Sequence, residues 1–191
     1  MNDITNILLV GVGGQGTLLA SEILSEVFMR AGYDVKKSEI HGMSQRGGSV
    51  VSHVRYGSQV FSPVVPEGEG DILFGFELME TYRSLPLLRS GATVVANNYR
   101  IPSPSILLGQ ESYPSGLEVK ISEMFPDFML VDGLKIATET GNPRVANTVL
   151  LGALSQRIDV AEHFWFEAIE KLVPKKALEI NLQAFRKGRT L

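Results

Sequence analysis

Cysteine is absent from all 191 residues. That excludes thiolate-held iron–sulfur clusters, disulfides and a cysteine nucleophile. Histidine is scarce, and His41, His53 and His163 lie too far apart in the chain to suggest a zinc or haem site. Redox chemistry would therefore need a bound organic cofactor or a partner. Long apolar runs are missing too, none approaching the ~20 residues that span a bilayer. The opening MNDITNILLVGVGGQG has no basic leader and breaks into glycine after Val10, which predicts a cytoplasmic protein. Neither charge dominates: Lys+Arg 18 against Asp+Glu 21 gives a net charge of −3, no general field for nucleic acid or an anionic membrane. What the chain does have is glycine, nineteen residues of it, in clusters.

The first cluster follows the apolar run Ile7–Val10, which reads as a buried strand. Thr17 to Arg30 carries Leu19, Ile23 and Val27 at helical spacing, with Gly32 as a stop. Tyr33 to Ile40 reads as a second strand, giving a βαβ unit with a glycine-rich first turn. Val50 to Tyr56 alternates as a half-buried strand, and His53 is expected to face solvent or a neighbour on that strand. Asp71–Phe76 reads as another strand, Glu77–Arg89 as a helix interrupted near Pro86, and Ala92–Ala96 as a strand. The segment 97–116 reads as loop with a brief strand at 106–108. Asn142-Pro143 opens a helix through Leu154. Asp159 and Glu162 have capping-box spacing ahead of a helix burying Val160, Phe164, Ala168 and Leu172. A last helix starts at Pro174, with Leu178, Leu182 and Phe185 inward and Gly188 at its end. The alternation predicts a three-layer α/β domain with a mostly parallel sheet and a helical C-terminal third.

Gly11, Gly13 and Gly16 satisfy G-x-G-x-x-G between strand and helix, with Glu39 lying 23 residues beyond Gly16. That spacing suits a Rossmann-like NAD(P) or FAD site: amides at a helix N-terminus for pyrophosphate, a carboxylate for ribose. The same glycines serve a purely structural tight turn. They also suit phosphates of another molecule, or a partner's carboxylate or backbone. Gln15, a polar side chain inside the fingerprint, is positioned to reach out to a partner.

The second cluster, His41 to Ser49, packs an imidazole, hydroxyls, an amide and a guanidinium into nine residues. Topologically it belongs beside the first loop, where α/β folds gather ligands. Arg46 with Gly47-Gly48 suits a phosphate or carboxylate. No Ser-His-Asp spacing, carboxylate pair or metal-ligand spacing accompanies these loops. Such loops without a catalyst suggest a subunit that completes a site formed elsewhere. A stand-alone dehydrogenase and a nucleotide-sensing or assembly module are the other classes compatible with them.

The runs Asn6 to Gly16 and Ser38 to Val50, with its His-Gly-Met-Ser-Gln-Arg-Gly-Gly, resemble the gamma-type domain family of 2-oxoacid:ferredoxin oxidoreductases, in particular the small beta subunits of its indolepyruvate branch. Phe76-Glu77, Gly141-Asn142, Asn147 to Leu154 and the tail Val173 to Phe185 extend the resemblance over nearly all of residues 1–191, one domain. It implies an accessory subunit of a heteromeric enzyme that oxidatively decarboxylates aryl 2-oxoacids such as indolepyruvate. Coenzyme A would accept the acyl group and ferredoxin the electrons. Thiamine diphosphate and [4Fe–4S] clusters would sit on a large alpha subunit, with no cofactor held stably and no catalytic residue supplied by this chain. Two loops carry over as contacts with the shared site or the partner: Gly13, Gly14, Gln15 and Gly16, and Ser44, Gln45, Arg46, Gly47 and Gly48. An apolar interface left uncovered would make the isolated chain self-associate, as a homodimer for example.

Overall fold

The computed structural model describes residues 4–41 and 48–191. Among the described residues one six-stranded sheet runs in the order β2-β3-β1-β4-β5-β6. The strands are β1 (Ile4–Val12), β2 (Asp34–His41), β3 (Ser49–Gly57), β4 (Gly70–Gly75), β5 (Leu88–Asn97) and β6 (Phe128–Val131). β1, β4, β5 and β6 pair in parallel, while β3 is antiparallel to both β1 and β2. The helices are α1 (Thr17–Arg30), α2 (Leu78–Arg83), α3 (Pro104–Leu107), α4 (Leu117–Met124), α5 (Gly133–Thr140), α6 (Ala146–Ser155), α7 (Glu162–Leu172) and α8 (Leu178–Gly188). The three-layer, mostly parallel α/β fold and the helical C-terminal third are as the sequence predicts.

Alternation along the strands divides the core. Ile7, Leu9, Ile72, Phe74 and Val95 point to one face and pack beneath α1 and α5–α8. Leu8, Val10, Leu73, Val94 and Ala96 point to the other, beneath α2 and α4. α1 buries Ala20, Ile23, Leu24, Val27 and Phe28, a wider stripe than the expected Leu19–Ile23–Val27 row, and Leu19 is only half-buried. Trp165 is fully buried and stacks on Phe185, with ring centroids 5.6 Å apart. α6 and α8 approach almost backbone to backbone: a Cβ at Gly152 would overlap the Phe185 carbonyl, and one at Gly188 the Val149 carbonyl.

The expected βαβ unit is interrupted. β3 lies between β1 and β2, with His53 opposite Leu8 on one side and Ser38 on the other. The connection from β2 to β3 is short, and a short connection between neighbouring strands enforces antiparallel pairing. Other local readings also change. Residues 106–108 are not a strand, because Pro104 starts a helical turn there. The helix after Glu77 stops at Arg83, and a 3-10 turn holding Pro86 delivers the chain into β5. Asp159 is not an N-cap. The Val160 amide bonds to the Ile158 carbonyl in a tight turn that buries Ile158, so α7 starts at Glu162 and its buried face is Trp165, Ala168 and Ile169.

His53 does not face solvent. Residues 58–69 fold back across β3, and the Val65 amide donates to His53 Nδ1 at 3.0 Å. Arg55 pins the same strap through the Ser62 and Val64 carbonyls, at 2.9 and 3.0 Å. Burial, with the Arg55 cation beside it, holds the His53 imidazolium below the ordinary histidine range. The unfolded chain therefore takes up this proton first, so stability rises with pH across that range and is lost as pH falls through it. Melting temperature should drop between about pH 7 and about pH 5. His53→Asn, whose Oδ1 replaces the Nδ1 acceptor, should flatten that part of the profile; an identical slope in the variant would refute the assignment.

Candidate functional site

β1 and β4 are parallel neighbours, yet α1 leaves β1 toward one face and α2 leaves β4 toward the other. Such a divergence opens a crevice at the carboxyl ends of the strands, the usual ligand position in α/β sheets. A cleft of about 340 Å³ lies there. Gly13, Gly14 and Gln15 form one wall, Phe76, Asn97, Tyr99 and Ile101 a second, and Leu134, Pro143, Arg144, Asn147 and Leu150 a third.

The first glycine loop is shaped from within. Gln15 folds inward instead of reaching out: Oε1 accepts from the Val12 amide at 2.8 Å, and Nε2 donates to the Phe76 carbonyl at 2.9 Å. That one side chain ties the end of β1 to the end of β4. Asn97 reinforces the junction, donating to the same Phe76 carbonyl at 3.3 Å and accepting from the Gly133 amide at 3.1 Å. Gly16 sits at φ 83° as the N-cap of α1, a left-handed conformation that favours glycine, directly beneath Asn147.

The two glycine loops meet. The Gly13 amide donates to the Gly48 carbonyl at 3.0 Å, so the structure brings Gly13, Gly14, Gln15 and Gly16 together with Gly48. Ser44, Gln45, Arg46 and Gly47 lie outside the described residues. Glu39 is not beside the first loop. It sits on β2, with β3 intervening, and binds Ser21 and Lys37. The dinucleotide reading places the ribose carboxylate on the strand next to β1, and here that strand is β3.

Behind the second wall lies Glu77, fully buried. Its carboxylate accepts from the Glu80 amide at 2.8 Å, the Ile101 amide at 3.0 Å and the Tyr113 hydroxyl at 2.6 Å. Burial first, and then this bond to the carboxylate, push the Tyr113 phenol above its ordinary range. Arg144 is the one charged side chain lining the cleft among the described residues. No group of three or more His, Asp or Glu side chains there is placed to hold a metal ion. The residues that spacing alone did not single out, Asn97, Tyr99, Arg144 and Asn147, come from segments 81 to 131 positions beyond Gly16.

Comparison with known proteins bears on this cleft-bearing fold as a whole. A family model described as pyruvate ferredoxin/flavodoxin oxidoreductase matches residues 6–191. The chain is 42% identical, over 96% of its length and 93% of the relative's, to the indolepyruvate oxidoreductase subunit IorB of Thermococcus kodakarensis. Among solved structures, the keto/oxoacid ferredoxin oxidoreductase gamma subunit of Geobacter sulfurreducens superposes with a TM-score of 0.70 at 23% identity, covering 96% of this chain and 95% of that one. The 2-oxoglutarate:ferredoxin oxidoreductase of Magnetococcus marinus, solved with 2-oxoglutarate, coenzyme A and succinyl-CoA bound, superposes with a TM-score of 0.75 at 20% identity; all of this chain matches 31% of that one. With a full-length family match and relatives above 30% identity over nearly the whole chain, the protein belongs to the pyruvate ferredoxin/flavodoxin oxidoreductase family and is a subunit of a 2-oxoacid:ferredoxin oxidoreductase.

Proposed function

We propose that the chain is the accessory beta subunit of a heteromeric, thiamine-dependent oxidoreductase that converts aryl 2-oxoacids such as indolepyruvate to acyl-CoA and passes the electrons to ferredoxin. The observation that carries this reading is the 42% identity to an indolepyruvate oxidoreductase subunit along 96% of the chain. Thiamine diphosphate and the [4Fe–4S] clusters belong to a large alpha subunit in this reading, which suits a chain without cysteine. Bound thiamine diphosphate supplies the electron sink for decarboxylation. This chain covers the site against water and presents its two glycine loops, Gly13–Gly16 and 44–48, to the junction with the alpha subunit and to coenzyme A. The complex works in the cytoplasm, and the isolated chain self-associates through apolar surface such as Phe61, Leu107 and Leu108, which are 84%, 74% and 73% exposed.

The test is reconstitution. Purified alone, the chain should be colourless and inactive; with its large subunit it should support indolepyruvate- and coenzyme A-dependent reduction of ferredoxin. Arg46→Ala should lower activity, or affinity for coenzyme A, by about tenfold in the assembled complex without unfolding this subunit. Unchanged kinetics together with unchanged assembly would remove Arg46 and its loop from the junction. Activity of the chain by itself, or its tight binding of NAD(P) or FAD, would overturn the whole reading in favour of a stand-alone dehydrogenase.

A further inference from the structure

β2 is the outermost strand of the sheet, so in the strand order of the described residues only its inner edge is paired, by β3. The outer edge offers a row of backbone N–H and C=O groups to any strand that comes alongside. It is long, eight residues against four for β6 at the opposite edge, and its register with β3 runs from Asp34 to His41 without a bulge. Proteins usually blunt such an edge with proline, a bulge or unpaired lysine. β2 has no proline, and both its lysines are neutralised within the strand: Lys36 binds Asp34, and Lys37 binds Glu39.

The two sides of the strand differ. Lys37 and Glu39 point toward α1, where Glu39 also binds Ser21 at 3.3 Å and Lys37 lies 3.8 Å from Glu22. Asp34, Lys36, Ser38 and Ile40 alternate to the side of the strap at 58–69, whose Val60 amide donates to Asp34 Oδ2 at 2.8 Å. Apolar surface is left open on that side: Ile40 is 53% exposed, and Phe61, next to Val60, is 84% exposed.

We propose that the outer edge of β2 is where two copies of this chain pair, antiparallel about a two-fold axis through Ser38. In a two-fold dimer the same strand lies on both sides, and residues that oppose each other share one face of the sheet, so the axis must fall on a residue. With the axis on Ser38, Lys37 of each copy meets Glu39 of the other, and Lys36 meets Ile40. An axis one position either way sets Lys37 against Lys37 or Glu39 against Glu39, like charges directly opposite. Charge complementarity thus selects the Ser38 axis. The same register carries the exposed Ile40 of one copy toward the Asp34 end of the other, the end that holds the strap with Phe61. The pairing deepens the self-association stated above and rests on it. The cleft lies beyond β3, at the ends of β1 and β4, and stays open to the large subunit in both copies.

The chain has no cysteine of its own, so a single introduced one reports cleanly. Under mild oxidation the full-length Ser38→Cys chain should form a disulfide-linked dimer, because the axis residue meets its own copy with the Cα atoms about 4.5–5.5 Å apart. Lys36→Cys, opposite Ile40 in this register, should link at least about tenfold more slowly, since its own copy then lies four residues away along the strand. In sedimentation, Lys37→Glu and Glu39→Lys should each dimerise about tenfold more weakly than the wild type. Mixed one to one, they should recover wild-type affinity, because the two glutamates of one chain then meet the two lysines of the other. Neither chain regains its own ion pair in that mixture, so only contact between copies can restore the dimer. Ser38→Cys linking no faster than Lys36→Cys, or a mixture no tighter than either variant alone, overturns the pairing. A wild type that stays monomeric at millimolar concentration overturns the self-association with it. A dimer dissolved by Leu107→Asn or Leu108→Asn but untouched by the charge variants keeps the self-association and removes β2 from it.

Discussion

Gly152→Ala is expected to destabilise the chain by about 3 kcal/mol, although alanine is the better helix former by about 1 kcal/mol. The reason is what the new methyl group would meet. It would overlap the Phe185 carbonyl and lie 2.9 Å from the Arg189 nitrogen and 3.0 Å from Gly188 Cα, all backbone atoms that cannot turn aside. α8 would have to retreat from α6, loosening Leu182 and Phe185 in the core beneath them. Urea denaturation should show a lower midpoint at an unchanged slope, since only the native state changes. Equal or higher stability would mean that the two helices are not in backbone contact, and propensity would then decide the sign.

Glu77→Ala should cost a comparable amount, about 3 kcal/mol or more. Three donors lose their shared acceptor at once, namely the buried Glu80 amide and the half-buried Ile101 amide and Tyr113 hydroxyl; a fully buried orphan costs about 1–3 kcal/mol and a half-buried one less. Ile101 and Tyr99, which form part of the cleft wall, lose the anchor behind them. Stability and the tyrosine titration should move together. Removing the carboxylate withdraws the bond that helps hold the Tyr113 phenol above its ordinary range, so the alkaline absorbance titration should shift to lower pH even though burial remains. A melting curve like that of the wild type, with an unshifted titration, would show the carboxylate to be dispensable.

The parts of the fold legible in the sequence are those whose signals are local. Ile7–Val10 followed by glycine and an apolar period of about four identifies β1, the loop and α1. Asn142-Pro143 marks a helix start, and Asn142 does cap it by accepting from the Arg144 amide at 3.0 Å. The segment from α4 through α5 carries no comparable signal. β6 is four residues long, and α5 opens with a glycine whose amide is held by Asn97 from another strand. The insertion of β3 between β1 and β2 is equally invisible, because strand order depends on pairing between segments and not on period within one.

The candidate site divides in the same way. The glycine loops announce themselves, and Gly13 and Gly48 do meet. The inward turn of Gln15 does not, since one of its partners is the Phe76 carbonyl 61 residues away. His53 reads as a strand residue facing solvent or a neighbour on its strand, whereas its partner is the Val65 amide of the strap at 58–69. Asn147 looks like any polar residue near a helix start; its place over Gly16 depends on α6 being folded back onto the first loop.

The position of β3 also dictates when this chain can fold as it leaves a ribosome. β2 touches β1 nowhere in the sheet order, so the first 41 residues cannot form a sheet, and β2 has to wait for β3 to emerge and bridge the gap. α1, which covers β1 and β3 on one face, also packs against α7, joined to it by Lys171–Glu26 and Arg30–Glu167 ion pairs of 2.8 and 2.6 Å. Its outer surface stays bare until nearly the whole chain has been made. A nascent chain stopped before α7 would expose apolar surface that the native protein hides, which makes this subunit a natural client for chaperones during its synthesis.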